Sequence, residues 1–309
     1  MPPAPLLIRP LPALAAIAVL TALVLFVDLP FTGLWAVVIS DSAHGPVCAG
    51  IAAIVFHLLR KPVVQRWWMA IAATTLLGVV IELVQGAIGR DAEVIDVVTD
   101  LLGAIAGTGL CVAFAQNSSR ALIRSGIAAT LVAIAVLSVP VFSMIGAYIV
   151  RGMQFPILMD GNATFGTAFV TSFWTDPQQE PLPPAADPNI PGERALHVRA
   201  MPPQLWWSIA LGELEERDWR RWHTLAIEVF NPRAQVVPFH VRVFDQPDGL
   251  ANDNGFKLHT RLEPGVRSTV KLSLQDMHDL DLSHVYGMIL FTASGDQDDD
   301  LYLLNIRLE

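Results

Sequence analysis

Cysteine is nearly absent from this chain of 309 residues; only Cys48 and Cys111 occur. Both fall inside apolar runs. No disulfide framework exists, so cysteine usage does not identify a compartment. Basic residues are outnumbered, 20 Lys+Arg against 29 Asp+Glu, for a net charge of -9. That balance argues against a nucleic-acid partner. It also argues against polybasic attraction to anionic lipid. No metalloprotease, P-loop, G-x-S-x-G or dinucleotide fingerprint is present. After residue 151 no apolar run reaches spanning length.

What remains is apolar. Hydrophobic residues make up 53% of the chain, and the mean hydropathy is +0.47, too high for an ordinary soluble protein. The average hides two unlike halves. Residues 1–151 hold 8 Lys+Arg and 7 Asp+Glu, and the remaining 12 and 22 fall in residues 152–309. The first half contains five apolar runs, near 11–29, 44–60, 67–87, 96–116 and 124–150. A helix needs about 20 apolar residues to cross the hydrocarbon. The first run lacks a clear small-x-small cleavage site and reads as a retained span, not a signal peptide. The second is short and opens on Gly45-Pro46, which suggests tilt or re-entry. The fifth carries Pro140, which predicts a kink.

Lys and Arg collect on cytoplasmic loops. Arg9 precedes the first run. Arg60, Lys61 and Arg66 follow the second, and Arg120 and Arg124 follow the fourth. The stretch between the first two runs has neither. The pattern predicts the N-terminus inside and residues 152–309 outside. In that orientation Asp41, His44, Glu82, Gln85, Arg90, Asp96 and Asp100 all gather at the outer membrane face. Polar groups in spans are costly, so they are functional suspects.

Helical spacing organises them. Gly78, Glu82 and Gln85 share one stripe, and Asp96, Asp100, Gly103 and Gly107 share another. The pair Gly103-x-x-x-Gly107 lets a neighbouring helix approach closely. Buried carboxylates must be paired, protonated or bound to a cation. The acids here outnumber Arg90 and His44, so a protonated carboxyl or a divalent cation would resolve the surplus. A protonated carboxyl beside an ionised one also suits general acid/base work. Glu82, Asp96, Asp100 and His44 are therefore the catalytic candidates. The plainer account makes all of these hydrated helix-end residues. Cys48 and Cys111 read as helix-packing residues.

The ordered pattern Asp41-x-x-His44, Gly78-x-x-x-Glu82-x-x-Gln85, Gly89-Arg90, Asp96 and Gly103-x-x-x-Gly107 resembles the VanZ-like membrane protein family over roughly residues 11–150. Ser42 stands where a Lys often follows the first Asp, and Asp100 where an Asn is usual. The resemblance implies an integral protein of the bacterial envelope. Its best-known branch is linked to low-level glycopeptide resistance, with no reaction firmly established.

Residues 152–309 change character. A Pro-rich stretch over 180–192 reads as a long loop. Period-two apolar runs follow at Leu225–Val229, Phe239–Val243, Val270–Leu274, Val285–Phe291 and Tyr302–Leu308. Turn signals such as Asn231-Pro232, Asp248-Gly249 and Pro264-Gly265 separate them. The expectation is an antiparallel β-sandwich or jelly roll. The fold class is thus α plus all-β: a five-span bundle, then an extracytoplasmic sandwich. The stretches Asp218-Trp219, Phe230-Asn231-Pro232, Asn252-Asp253-Asn254-Gly255-Phe256, Pro264-Gly265 and Leu301-Tyr302-Leu303-Leu304-Asn305-Ile306 resemble, in that order, carbohydrate-binding, galactose-binding-like jelly rolls.

Five of the eight tryptophans lie in this half. Trp219 and Trp222 read as core. Trp206 and Trp207 are adjacent, so in a strand one would face out, and both are candidates to contact a saccharide. The acidic run containing Asp296, Asp298 and Asp300 reads as a weak Ca²⁺ candidate or a solvated turn. Three functions follow. The chain is an envelope enzyme acting on glycan or lipid-linked saccharide, a non-catalytic surface binder, or a small transporter. The last fits least, because polar groups sit at one membrane edge and none crosses the midplane. The expected setting is the bacterial inner membrane with a periplasmic C-terminal half, and the expected partners are the lipid bilayer and an envelope saccharide.

Overall fold

Among the described residues, six α-helices precede eleven strands. The computed structural model describes residues 10–26, 33–87, 93–116, 118–173, 175–184, 186, 192–201, 207–214, 218–246, 255–292 and 300–309. The chain divides into two compact units, Met1–Met144 and Ile145–Glu309.

The helices are α1 (Pro10–Phe26), α2 (Leu34–Leu58), α3 (Val63–Ala87), α4 (Val94–Phe114), α5 (Arg120–Leu137) and α6 (Val139–Gln154). Among the described residues, four helical segments are long and apolar enough to cross a membrane, with α5 and α6 together forming one of them. Large apolar side chains such as Leu76, Leu83, Leu131 and Phe142 are exposed. Many buried positions carry small or polar residues such as Ala52, Ala70, Thr74, Ala104 and Thr108, beside larger ones such as Ile51 and Phe56. Small residues inside and bulky ones outside is the arrangement that suits helix packing in lipid.

Two helices differ from the sequence expectation. α2 begins ten residues before the second apolar run, and Gly45-Pro46 lies in its middle. Ser40, Asp41 and Ser42 interrupt hydropathy there without interrupting the helix. Asp41 and His44 therefore sit two to three turns inside α2, not at its start. The fifth run breaks at Ser138 into α5 and α6. Pro140 then occupies the first turn of α6, where its missing N–H costs little.

Glycine sets how close the helices come. A Cβ on Gly103 would run into the Gly45 carbonyl, and one on Gly107 into the Ala49 carbonyl. The α4 glycine pair is thus spent on α2. On the other side of α4, Gly109 faces Gly126 of α5, and Thr130 donates to the Ala106 carbonyl at 3.0 Å.

The second unit is a two-sheet antiparallel β-sandwich. Its strands are β1 (Ile157–Asp160), β2 (Val170–Phe173), β3 (Gln178–Pro181), β4 (Arg194–Arg199), β5 (Ser208–Leu211), β6 (Thr224–Phe230), β7 (Val237–Phe244), β8 (Phe256–Leu262), β9 (Arg267–Ser273), β10 (Gly287–Thr292) and β11 (Asp300–Leu308). One sheet has the order β3-β4-β11-β6-β9, with β1 also on β11. The other has the order β2-β5-β10-β7-β8. From β4 onward the chain changes sheet at every connection except the β7–β8 hairpin, the crossing pattern of jelly rolls.

The core comes from facing strand surfaces. Val198 meets Leu301, and Leu196 meets Leu303, which in turn meets Val229. From the other sheet come Phe239, Val241, Met288 and Leu290, with Trp207 and Trp219 fully enclosed. Each such side chain contributes about 1.5–3 kcal/mol by leaving water.

Two strands place their faces differently from the period-two reading. In β10, Met288 and Leu290 point inward, while Ile289 and Phe291 lie on the opposite face. The strand is apolar on both faces, so periodicity could not choose. In β11 a bulge between Leu303 and Asn305 shifts the register on β6. Leu301 and Leu303 are inner before it, and Ile306 and Leu308 are inner after it. A bulge inserts one residue and flips parity.

The unit boundary at Met144/Ile145 falls seven residues before the composition change at 151/152. Arg151 accounts for the difference. Its side chain is buried, lies over the Phe169 ring at 3.9 Å and donates to the Gly212 carbonyl at 2.9 Å. Tyr148 donates to the Glu213 carboxylate. The second half of α6 is thereby part of the sandwich unit.

Candidate functional site

In the helical unit, α2, α3 and α4 bring polar side chains together. His44, Glu82 and Asp96 each present one donor atom, all within 4.8 Å of one another. Glu82 is 6% exposed. One of its oxygens accepts the Glu93 N–H at 2.9 Å. The other, Oε1, has no hydrogen-bond partner among the described residues.

Asp100 is completely buried. Its Oδ1 lies 3.4 Å from His44 Nδ1 and accepts the Cys48 thiol at 3.0 Å. Its Oδ2 is unpartnered among the described residues and packs against Gly78, where any Cβ would displace it. The glycine of the Gly78-x-x-x-Glu82 pattern thus makes room for the aspartate of another helix. Gln85 is 4% exposed, and its Oε1 is also unpartnered among the described residues. Asp41 is exposed on α2, within electrostatic reach of Glu93 and Asp96. Arg90 lies outside the described residues.

Two contributors were not among the candidate site residues, Cys48 reading from the sequence as a helix-packing residue. Cys48 holds Asp100, and the backbone of Glu93 holds Glu82. Cys48 was legible in retrospect, because Asp41, His44 and Cys48 are at i, i+3 and i+7 on one stripe of α2. The Glu93 contact needed the tertiary fold.

Beside this cluster an apolar cavity of about 470 Å³ opens along the adjacent face of α2, between Ser42, Gly45, Ala49, Gly107, Thr130 and Leu137.

In the sandwich the tryptophan assignment is corrected. Trp207, which immediately precedes β5, is 0% exposed and enclosed in the core, not on the surface. Trp206 lies outside the described residues. Of the acidic run, Asp296 and Asp298 also lie outside them. Asp300 is already engaged, paired with Nε2 of His197. Glu180 holds Nδ1 of the same ring at 3.0 Å, and Tyr302 stacks beneath it at 4.3 Å. The two carboxylates, Asp300 first, raise the His197 pKa above its ordinary value of 6.5. Asp300 is the ion-pair partner of His197 there.

The sheet β2-β5-β10-β7-β8 offers a different surface. Phe173, Ser208, Phe291, His240 and His259 are paired in register from one edge strand to the other. They form one continuous row on the outer face. Phe291 stacks on His240 at 4.9 Å, and His240 meets His259 ring to ring. Phe173 is 40% exposed. The neighbouring row carries Thr171, Ala210, Ile289, Arg242 and Lys257. Four strand spacings make the row about 19 Å long. Burial, then repulsion from His259, lowers the His240 pKa below its ordinary value.

No family model matches the chain, and no curated protein matches it. Several solved structures are similar to part of it. An exo-β-agarase has 15% identity and a TM-score of 0.41 over 50% of this chain and 25% of its own. A family 11 carbohydrate-binding module from Clostridium thermocellum, in complex with a β-1,3-1,4-mixed-linked tetrasaccharide, has 14% identity and a TM-score of 0.34 over 49% and 93%. A module specific for non-crystalline cellulose has 13% identity and a TM-score of 0.32 over 43% and 79%. The chain spans about a quarter of the length of the agarases it matches. Identities this low and TM-scores below 0.5 leave the chemistry to be argued from the residues of this chain.

Proposed function

We propose that this chain is an integral membrane protein of the bacterial envelope whose β-sandwich holds an envelope saccharide on the β2-β5-β10-β7-β8 face. The observation that carries the reading is the in-register row of Phe173, Ser208, Phe291, His240 and His259. Aromatic faces provide flat apolar area for the C–H faces of sugar rings, and the Ser208 hydroxyl between Phe173 and Phe291 and the exposed His259 imidazole at the end of the row supply hydrogen bonds to sugar hydroxyls. A protein partner would favour a wider apolar patch than two half-buried aromatics in a polar field.

The envelope setting is supported by the apolar helices and by the VanZ-like pattern at Asp41, His44, Gly78, Glu82, Gln85 and Asp96. The distribution of Arg60, Lys61, Arg66, Arg120 and Arg124 supports an N-in orientation, with the sandwich outside the cytoplasm. The link to glycopeptide resistance comes with the VanZ-like resemblance and belongs to this reading.

The test is binding of the detergent-purified full chain to a panel of soluble envelope saccharides, by calorimetry. Native protein binds at least one, and Phe291→Ala weakens that binding by about tenfold while leaving thermal unfolding within a few degrees of native. His197→Ala, on the other sheet, leaves affinity unchanged. Absence of binding to the whole panel, or equal binding by Phe291→Ala, overturns the reading.

A second reading makes the helical cluster catalytic on a lipid-linked saccharide. The unpartnered Glu82 oxygen beside Asp96 and His44, close to an apolar cavity, favours it. Loss of an envelope-glycan phenotype in Glu82→Gln at equal membrane level would support it.

A further inference from the structure

We infer that His44, Glu82 and Asp96 form a site for one divalent first-row metal ion, with zinc or manganese as the fitting class. Three observations from the helical unit converge on it.

The first is the donor set. One imidazole and two carboxylates come from three different helices and bring their atoms within 4.8 Å of one another. Metal–ligand bonds of about 2.0–2.2 Å put tetrahedral ligand atoms roughly 3.4 Å apart. The donors therefore close by about an ångström on binding, within the reach of side-chain torsions. Mixed imidazole and carboxylate ligation suits zinc or manganese better than calcium, which takes six to eight oxygens.

The second is unsatisfied valence. Glu82 is more than nine-tenths buried, with Oε1 unpartnered among the described residues. A buried carboxylate oxygen without donor or cation is costly, and a metal ion satisfies it.

The third is support behind the ligands. Asp100 lies 3.4 Å from the His44 Nδ1 nitrogen, and Cys48 and Gly78 fix Asp100 in turn. A carboxylate beside the ring helps fix the orientation of a ligating histidine. The Glu93 N–H on Glu82 Oε2 does the same for that ligand. Three protein ligands leave at least one position open for water or substrate, as in catalytic zinc sites.

The inference stands apart from the saccharide reading, because its test measures metal alone. The full chain is purified in detergent, stripped with chelator and titrated with Zn²⁺ and Mn²⁺ by calorimetry, then with Co²⁺ by absorption. The expected result is one equivalent bound and cobalt d–d bands of a low-coordinate site. Glu82→Gln and His44→Ala each weaken binding at least about tenfold, while His57→Ala, at the other end of α2, leaves it unchanged. Should a variant fail to fold, pulsed EPR on the Mn²⁺-loaded native chain reads the imidazole nitrogen directly. No bound equivalent, affinity unaltered in both folded variants, or no nitrogen coupling in the native chain each overturns the site.

Discussion

Replacing Gly103 by alanine should destabilise the helical unit, while the same change at Gly50 should not. At Gly103 the new methyl would collide with the carbonyl of Gly45 and lie 2.9 Å from its carbon and 3.0 Å from its Cα. All three are backbone atoms, so no rotamer change relieves them and α2 must move away from α4. Overpacking of this kind costs about 1–3 kcal/mol, and an obstacle without side-chain freedom belongs at the upper end. Alanine returns about 1 kcal/mol of helix propensity, for a net loss near 2 kcal/mol. At Gly50 the methyl meets only Leu20 Cδ1 at 3.8 Å, an ordinary contact. There the propensity term acts alone, and the variant gains up to about 1 kcal/mol. The two variants thus differ by about 3 kcal/mol, roughly a hundredfold in the unfolding equilibrium. Reversible SDS unfolding in mixed micelles, followed by tryptophan fluorescence, reads the difference. Gly103→Ala should also lower metal affinity, because Gly45 and Gly103 lie beside His44 and Asp100. Equal stability of the two variants, or a more stable Gly103→Ala, would refute the close α2–α4 approach.

Other outcomes follow from single residues. The His197 pKa is raised by Asp300 and Glu180, so the stability it contributes is full below pH 6.5 and fades as pH rises through the raised value. The stability difference between native protein and His197→Phe should therefore shrink from pH 6 to pH 9, and a difference constant across that range would show the ion pair to be inert. His240 carries the opposite sign, since a lowered pKa makes its folded form gain stability as pH rises through 6.5. Trp207→Ala should cost about 3–5 kcal/mol in thermal unfolding of the sandwich; unchanged stability with reduced saccharide binding would return Trp207 to the surface. Thr130→Val removes the α5–α4 hydrogen bond to Ala106 and should cost about 0.6 kcal/mol, read in the same SDS assay.

The sequence by itself determined the helix-forming half, the β half and the residues worth examining. Apolar runs of about 20 residues have few fates other than helices in lipid, because every backbone polar group must be satisfied internally. Acids in such runs mark themselves by their cost, which is why Glu82, Asp96, Asp100 and His44 were legible. Period two with turn residues between runs marked the central strands. The short strands β1 to β5 were not marked, since four to six residues carry too little pattern. What only the tertiary structure decided is which groups meet. Gly78 and Asp100 belong to different helices, and no spacing within either predicts that one accommodates the other. The bulge in β11 and the double-sided apolarity of β10 defeated parity, so the outward row through Phe291 and His240 emerged only from the strand register. Burial of Trp207, just before β5, likewise came only from the tertiary fold. Local sequence fixes periodicity, but the face a side chain finally presents depends on its neighbours across the sheet or bundle.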